Sequence, residues 1–214
     1  MPRTEAVARR TYGGRSAADR RAERRERLLE AGLQLFGTEG YATSSIEKLC
    51  THAGVSTRNF YEEFNAREDL LMALHTRVNE KAFRAVSAAF TEAVEADEAL
   101  AERFELAIRT FIHTMAADAR WARLAYVEAF GVSDRVEKHR MSWRARWSDL
   151  MVGEANRAVT RGEAKQRDFT LAALAVTATA NELIHHYSIS RGRYTLDEVI
   201  AEIVRVAVAA VTAP

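Results

Sequence analysis

The fold of this 214-residue chain is decided by residues 53–64, whose sequence is AGVSTRNFYEEF. Gly54 is expected to end one short helix, because glycine readily adopts the left-handed conformation that a tight helix exit requires. Ser56 is a good N-cap and predicts a second short helix, from Thr57 to about Glu63, with phenylalanines on its inner face. Two short helices separated by a single glycine indicate a helix-turn-helix.

Helices are predicted on both sides of this unit. The helix before it is expected from Asp19 to about Gly37, and the first short helix is expected to start at Ser44, which forms a capping box with Glu47. A long helix follows the unit and ends at about Ala96. Later helices are placed near residues 99–116, 120–131, 134–162, 168–191 and 196–212. Because both prolines lie at the chain ends and no stretch has the period-two pattern of strands, an all-α fold is predicted.

The composition is that of an ordinary globular chain, 48% hydrophobic and 29% charged. No apolar run approaches the roughly 18 residues that a membrane span needs, and no apolar stretch follows the N-terminal arginines as it would in a secretory signal. The single cysteine, Cys50, excludes an intramolecular disulfide and a cysteine-cluster metal site. A cytoplasmic protein with no membrane partner is therefore predicted.

Charge is distributed unevenly along the chain. Residues 1–27 hold nine arginines against four acidic residues, although the whole chain has a net charge of only +1. A basic arm of this kind suits contact with a polyanion, and a merely solvated tail is the alternative. Three regions are predicted: a disordered basic arm over 1–18, a helix-turn-helix domain over 19–66, and a helical regulatory and dimerisation domain over 67–214.

The second short helix has side chains suited to reading DNA. In a helix-turn-helix, residues near the N-terminus of this helix meet base edges in the major groove. Arginine can bond guanine bidentately, asparagine can do the same with adenine, and threonine offers a methyl group for thymine. The base-reading candidates are Ser56, Thr57, Arg58 and Asn59, and the phosphate candidates are Thr43, Ser44, Tyr61 and Arg67. The alternative is that Ser56 only caps a helix.

Residues 20–75 resemble the DNA-binding domain of TetR-family repressors. The resemblance lies in residues 28–36 (LLEAGLQLF), 39–46 (EGYATSSI), 53–64 and 67–71 (REDLL). It implies a homodimer that binds double-stranded operator DNA, with a second domain that binds a small molecule and controls the spacing of the two reading heads. The family diverges freely beyond the DNA-binding domain, so the later residues are judged on their own chemistry.

The C-terminal helices provide a separate argument for a homodimer. The 196–212 helix is apolar on two adjacent faces, so it must be covered on two sides. Residues 171–180 are small and apolar, which permits close approach of helices. The 168–191 and 196–212 helices of two subunits would then form a four-helix interface around a two-fold axis. Burial of both helices within a monomer is the alternative.

Aromatic and polar residues of the middle helices suggest an effector cavity. A small-molecule site is usually an apolar cavity with a few polar anchors. The candidate ligand-binding residues are Met115, Trp121, Tyr126, Phe130, Trp143, Trp147, Asn181 and His185. Ordinary core packing is the alternative for each aromatic. No metal site is predicted at His185 and His186, because neighbouring helix residues point about 100° apart and no further ligand accompanies them.

These features favour a transcriptional repressor that a largely apolar small molecule releases from its operator. The alternative with the same fold is a ligand-free DNA-binding or adaptor protein. An enzyme is not predicted, because the chain has no glycine-rich phosphate loop, no Gly-x-Ser-x-Gly elbow and no histidine-glutamate zinc signature. No cofactor is predicted either.

Overall fold

The computed structural model describes residues 16–189 and 193–213, and these ranges form nine α-helices and no strand. The predicted all-α fold is confirmed. In chain order the helices are α1 (Ala17–Thr38), α2 (Ile46–Ala53), α3 (Thr57–Glu63), α4 (Arg67–Glu95), α5 (Leu100–Ala116), α6 (Ala119–Arg123), α7 (Asp134–Thr160), α8 (Thr170–Ile189) and α9 (Leu196–Thr212). Helix α6 continues directly into a π-helical turn, Leu124–Glu128. Within the described ranges, none of these helices combines the length and apolarity needed to cross a membrane.

Helix α1 begins two residues earlier than predicted. Its N-cap is Ser16, whose hydroxyl accepts a hydrogen bond from the Asp19 N–H at 3.0 Å, while the Asp19 carboxylate accepts one from the Ser16 N–H at 2.9 Å. This reciprocal pair satisfies two backbone donors at the helix start. Residues 16–18, which were predicted to belong to the arm, form the start of α1, and the rest of the predicted arm, residues 1–15, lies outside the described residues.

Helix α1 also continues through Gly37, where it was predicted to end. A Cβ atom on Gly37 would lie 2.5 Å from the Cβ of Arg120 and 3.1 Å from its Cα. The first distance is shorter than side-chain contacts allow, so the glycine lets α6 pack directly against α1. Gly40 makes the turn beyond the helix with a φ of +106°, a conformation that glycine adopts at little cost.

Helix α2 is capped by Ser45 and not, as predicted, by Ser44. The Ser45 hydroxyl accepts a hydrogen bond from the Lys48 N–H at 3.2 Å. Ser44 is completely buried, and its hydroxyl donates to the Gly40 carbonyl at 2.7 Å. Either serine can cap a helix, and the turn at Gly40 leaves Ser45 in the capping position.

The core of the helix-turn-helix is continuous with the first turns of α4. Phe36 of α1, Leu49 of α2 and Phe60 of α3 are buried together with Leu70 and Leu74 of α4. The π-helical turn and the start of α7 contribute residues to the same core. The predicted domain boundary after residue 66 therefore coincides with the start of α4 but not with a break in packing.

A second core lies between α4, α5, α7, α8 and α9, and a buried ion-pair cluster fixes one end of it. Arg103 of α5 is completely buried, and its Nε lies 2.5 Å from a carboxylate oxygen of Glu154 on α7. Its two terminal nitrogens donate to Glu163, just beyond α7, at 2.9 and 2.8 Å. The cluster ties the end of α7 to α5.

Candidate functional site

Helix α3 separates its apolar and polar residues as predicted. Phe60 is completely buried, whereas Tyr61 is 53% exposed. The Arg58 side chain is 90% exposed and lies 3.7 Å from the Glu62 carboxylate. Thr57 is exposed and Asn59 is half-buried. The face of α3 that would meet DNA thus presents donors and a cation to solvent.

The N-terminus of α3 is pre-ordered by its own cap. The Ser56 hydroxyl accepts a hydrogen bond from the Asn59 N–H at 3.2 Å, and Ser56 is exposed. Satisfying this backbone donor fixes the first turn, where base-reading side chains must be held. Ser56 therefore caps α3, which is the alternative to its predicted contact with a base, and it is also exposed to solvent.

The phosphate candidates near α2 divide into one that is accessible and one that is not. Thr43 is exposed, and its hydroxyl donates to the carbonyls of Glu39 and Gly40 at 3.1 and 3.2 Å. Ser44 is buried, its hydroxyl is bonded within the turn and its N–H donates to the Tyr41 carbonyl at 3.2 Å, which disfavours the predicted contact with a phosphate. Lys48, which the sequence reasoning passed over, is exposed on α2 beside Glu39.

Arg67 is used within the chain. Its Nη1 donates to the Ser44 carbonyl at 2.5 Å, and its guanidinium carbon lies 4.1 Å above the Tyr41 ring. A half-buried guanidinium held in this way fastens the start of α4 to the loop before α2. The role predicted for Arg67, a contact with DNA phosphate, competes with these internal contacts.

Part of the arginine excess near the N-terminus is structural. Arg21 and Arg25 of α1 donate to the carbonyls of Glu62 and Glu63, both at 3.1 Å. The Arg25 guanidinium also lies 4.3 Å from the centre of the Phe64 ring. Carbonyls at a helix C-terminus have no intrahelical partner, so these arginines cap α3 from a neighbouring helix. The composition alone gave no sign of this role.

A cavity of about 500 Å³ lies between α4, α5, the π-helical turn, α7 and α8. Its lining includes seven of the eight residues that the sequence proposed for a ligand: Met115, Tyr126, Phe130, Trp143, Trp147, Asn181 and His185. Trp121 is not among the lining residues, so its contact with a ligand stays a prediction. Trp121 belongs to α6, which packs on α1, and its ring lies 4.3 Å from the Lys81 ammonium.

Two polar residues of α4 in the cavity wall were missed by the sequence reasoning. The Trp147 indole N–H donates to the Asn79 side-chain oxygen at 3.1 Å, and the Asn79 amide donates to the His75 carbonyl at 2.9 Å. His75 is only 5% exposed. Burial, together with the positive charges of His139 and Arg140, lowers the pKa of His75 to about 3. Their spacing of four residues, within an otherwise apolar stripe, was the available signal.

The π-helical turn contacts both the cavity and the helix-turn-helix. The Tyr126 hydroxyl donates to the Asn181 side-chain oxygen at 3.4 Å, and burial raises the pKa of Tyr126. Two residues later, the Glu128 carboxylate accepts a hydrogen bond from the Tyr41 N–H at 2.7 Å. One short segment therefore joins the cavity wall to the loop before α2, and π-helical turns often occur at functional sites.

Helix α8 exposes an apolar stripe. Leu171 is 78% exposed and Leu174 is 42% exposed, and Ala175 and Ala178 are also exposed. These positions recur at the helical repeat and therefore share one face. On the neighbouring α9, Val206 and Ala210 are half-buried. In this single chain, part of the apolar surface of both helices is uncovered.

Neither histidine of the cavity wall, His75 or His185, lies in a metal-binding cluster of the described residues. Across residues 16–189 and 193–213, no three histidine, cysteine, aspartate or glutamate side chains come together in a way that could hold a metal ion.

Comparison with known proteins places the helix-turn-helix in a family. Residues 28–74 match the sequence pattern of bacterial regulatory proteins of the tetR family. The uncharacterised HTH-type transcriptional regulator YerO of Bacillus subtilis (strain 168) is 31% identical over 51 residues, which are 24% of this chain and 18% of that protein. The chain thus matches less than a fifth of the length of this relative.

Two solved structures resemble most of the chain in fold. The transcriptional regulator FadR from Bacillus subtilis, in complex with stearoyl-CoA, has a TM-score of 0.72 at 19% identity, covering 86% of this chain and 98% of that chain. A TetR-family transcriptional regulator from Syntrophomonas wolfei has a TM-score of 0.74 at 21% identity, covering 90% and 97%. Residues 28–74 therefore carry the sequence pattern of the tetR family of bacterial regulatory proteins, and most of the chain shares the all-α fold of these two regulators.

Proposed function

We propose that this protein is a transcriptional repressor that binds operator DNA as a homodimer and is released by a largely apolar small molecule. One observation supports this proposal above all others. A solvent-facing recognition helix and a cavity of about 500 Å³ occur in one chain and are joined through the π-helical turn. This arrangement favours ligand control over a ligand-free DNA-binding or adaptor protein.

The DNA contact is assigned to the exposed face of α3. Thr57, Arg58 and Asn59 stand at its N-terminal end, where a recognition helix meets base edges. Tyr61, Thr43 and Lys48 are exposed beside it and suit phosphate oxygens. Phosphate contacts would position the helix, and the α3 side chains would supply base preference.

The homodimer is assigned to α8 and α9. A seven-residue recognition helix reads only a few base pairs, so two copies are needed for a specific site. The exposed leucines of α8 and the half-buried Val206 and Ala210 of α9 suit a self-complementary contact around a two-fold axis. No catalytic role is proposed.

Ligand control is expected to work by population shift. A ligand can change operator affinity only as far as it binds the two spacings of the reading heads with different affinity. Tyr126 faces the cavity, and Glu128 holds the Tyr41 N–H, so repacking of the π-helical turn would be felt at the loop before α2. FadR from Bacillus subtilis, a fold neighbour, was solved with stearoyl-CoA, which supports a ligand-responsive regulator.

Selection of genomic DNA fragments on the purified full chain tests the DNA assignment. We expect enrichment of a two-fold-symmetric site whose half-sites are spaced by one helical turn or a multiple of it. Retention of fragments without any common sequence would contradict the proposal.

The dimer assignment is tested separately with Leu171→Glu. A buried carboxylate at the interface is costly, so the variant should sediment as a monomer and lose operator affinity. Leu106→Glu is the matched control, because Leu106 on α5 is also exposed, at 37%, but lies outside the proposed interface. If Leu171→Glu remains dimeric, α8 is not the contact.

A further inference from the structure

We propose that the effector is an organic acid, with an extended hydrocarbon body and a carboxylate that binds Arg144 and Arg140 in the wall of the cavity. This inference rests on the effector-controlled function proposed above and specifies the chemistry of the same cavity. It is based on the two cationic groups that α7 supplies to an otherwise apolar lining.

Arg144 is a cation with unused hydrogen-bond donors. It lines the cavity, and its Nε is buried without a hydrogen-bond partner. Within residues 16–189 and 193–213, its one hydrogen-bond contact is between Nη1 and the Met141 sulfur at 3.9 Å, and a thioether is a weak acceptor. In the part of the chain that the structure describes, Arg144 forms no ion pair with a carboxylate. An unsatisfied buried donor is unfavourable, and a carboxylate can satisfy two donors of a guanidinium at once.

Arg140 lies one helical turn before Arg144 and faces the same cavity. It is only 8% exposed, and its guanidinium carbon lies 3.4 Å above the Phe130 ring. Phe130 itself is 57% exposed and lines the cavity, so the stacked pair stands where the cavity meets solvent. Arg140 is paired with Glu137, which is half exposed and does not line the cavity.

The charge of the cavity wall is not balanced. Besides the two arginines, its ionisable lining residues are Glu182, Tyr126, His75 and His185. Glu182 is exposed and forms no ion pair with either arginine among the described residues. His75 is held neutral by its depressed pKa, for which nearby positive charge is a cause. The two arginines thus outnumber the one carboxylate of the lining, and a bound carboxylate would balance the excess positive charge.

The rest of the lining suits a hydrocarbon. Phe104, Ile108, Phe111, Val176 and Ile203 form apolar walls from α5, α8 and α9. The volume of about 500 Å³ lies within the roughly 300–1,000 Å³ of small-molecule sites. An apolar body in this space and an anionic head at α7 would satisfy both parts of the cavity.

Calorimetric titration of the full chain with dodecanoate, dodecan-1-ol and dodecyl phosphate tests this assignment. The first two probes share one hydrocarbon chain and differ in charge, and the third exchanges a carboxylate for a phosphate. We expect dodecanoate to bind at least about 10-fold more tightly than dodecan-1-ol. The carboxylate is charged and can accept two hydrogen bonds from a guanidinium, whereas the alcohol is neutral. Dodecyl phosphate should bind less tightly than dodecanoate.

Arg144→Gln is the diagnostic variant. It should weaken dodecanoate binding by about 10-fold to 100-fold while changing dodecan-1-ol binding by less than about 3-fold. Lys138→Gln is the control from the same helix, because Lys138 also carries a positive charge on α7, is exposed and does not line the cavity. It should leave all three affinities unchanged. Tryptophan fluorescence of Trp143 and Trp147, which line the cavity, provides a second readout.

Each result that would contradict this proposal leads to a different conclusion. Equal binding of dodecanoate and dodecan-1-ol, or equal weakening of both by Arg144→Gln, would overturn the acid assignment and leave an apolar effector in place. If dodecyl phosphate bound more tightly than dodecanoate, the head group of the effector would be assigned as a phosphate and not as a carboxylate. Failure of all three probes to bind would reject a hydrocarbon acid, whereas DNA binding and dimerisation are decided by the separate experiments above.

Discussion

On α3 the guanidinium of Arg58 stands in solvent, with its side chain 90% exposed, whereas on α5 the guanidinium of Arg103 is completely buried between two carboxylates. The same contrast separates two larger regions. The N-terminal unit (α1–α3) directs the polar side chains of its recognition helix outward. The cavity-bearing helices (α4–α9) bury several of their polar side chains, including His75, Arg140 and Glu154.

This difference shows that a polar residue has to be interpreted from its surroundings. An exposed arginine is hydrated and needs no partner within the protein, so it remains available to bind DNA. A buried arginine must be neutralised within the fold or by a ligand, because an unpaired charge in an apolar interior is costly. Arg103 has its carboxylates within the chain, whereas the half-buried Arg144 forms no ion pair among the described residues.

The largest expected effect concerns Arg103. Arg103→Ala leaves Glu154 and Glu163 without their main partner in a buried site, so the free energy of unfolding should fall by about 3–5 kcal/mol. Urea denaturation of the wild-type chain and the variant measures the difference. Arg109→Ala is the control from the same helix, since Arg109 also pairs with two acidic residues but at the surface. If both variants lose the same stability, the contrast between buried and exposed arginines does not hold.

The second effect concerns pH and His75. The folded-state pKa of His75, about 3, lies below its ordinary value of 6.5, so the unfolded chain binds a proton that the folded chain does not. Stability from this source is complete above pH 6.5 and is lost as the pH falls toward 3. The slope is about 1.4 kcal/mol per pH unit in that window.

Comparison with His75→Gln isolates this contribution, because the carboxylates and His139 titrate in both proteins. The wild-type chain should lose stability more steeply than the variant below pH 6.5, and the two curves should run parallel above it. Parallel curves throughout the acid range would show that His75 is protonated in the folded protein.

The third effect concerns Arg58. Arg58→Ala should reduce discrimination between the operator and unrelated DNA by about 1–3 kcal/mol while leaving the free energy of unfolding unchanged. The measurement is a mobility-shift titration against both DNAs at fixed salt, with chemical denaturation alongside. Arg84→Ala on α4 removes one exposed positive charge away from α3 and serves as the control. Unchanged discrimination in Arg58→Ala would remove this residue from the base-reading set.

The smallest effects compare two helical glycines. Gly37→Ala places a methyl group 2.5 Å from the Cβ of Arg120, and we expect it to lower the free energy of unfolding by about 1–3 kcal/mol. Gly153→Ala on α7 has no neighbouring atom within 4 Å of the new methyl group and should raise it by about 0.5–1 kcal/mol. Both changes are measured by urea denaturation. Opposite signs are required, and two stabilising substitutions would refute the close packing of α6 on α1.

The sequence predicted the helices better than their ends. The short helix α3 has the predicted bounds, because the Ser56 cap and the glycine before it act within a few residues. The start of α1 and the cap of α2 were each misplaced, since several polar residues in succession can cap a helix. Only the path of the chain around Gly40 leaves Ser45, and not Ser44, free to do so.

For the candidate site, chemistry was easier to predict than location. Seven proposed residues line the cavity, since small-molecule cavities are lined mainly by apolar and aromatic side chains with a few polar groups. Trp121 has the same chemistry but belongs to a helix that packs on α1. The sequence did not predict His75 and Asn79 as cavity residues, because the pattern of α4 indicates only an apolar stripe. The sequence did not predict Arg140 and Arg144 in the cavity wall, because the exposure of one helix face is unknown until its neighbours are placed.

The sequence alone determined the all-α fold, the helix-turn-helix and the side chains that its second helix turns to solvent. These follow from caps, glycines and helical periodicity, which act over a few residues. The tertiary structure decided which of the many arginines are used within the fold, which glycine admits a neighbouring helix, and that Tyr126 and Glu128 connect the cavity with the loop before α2. Such contacts join residues far apart in the chain, and their energies depend on burial that only the packed helices create.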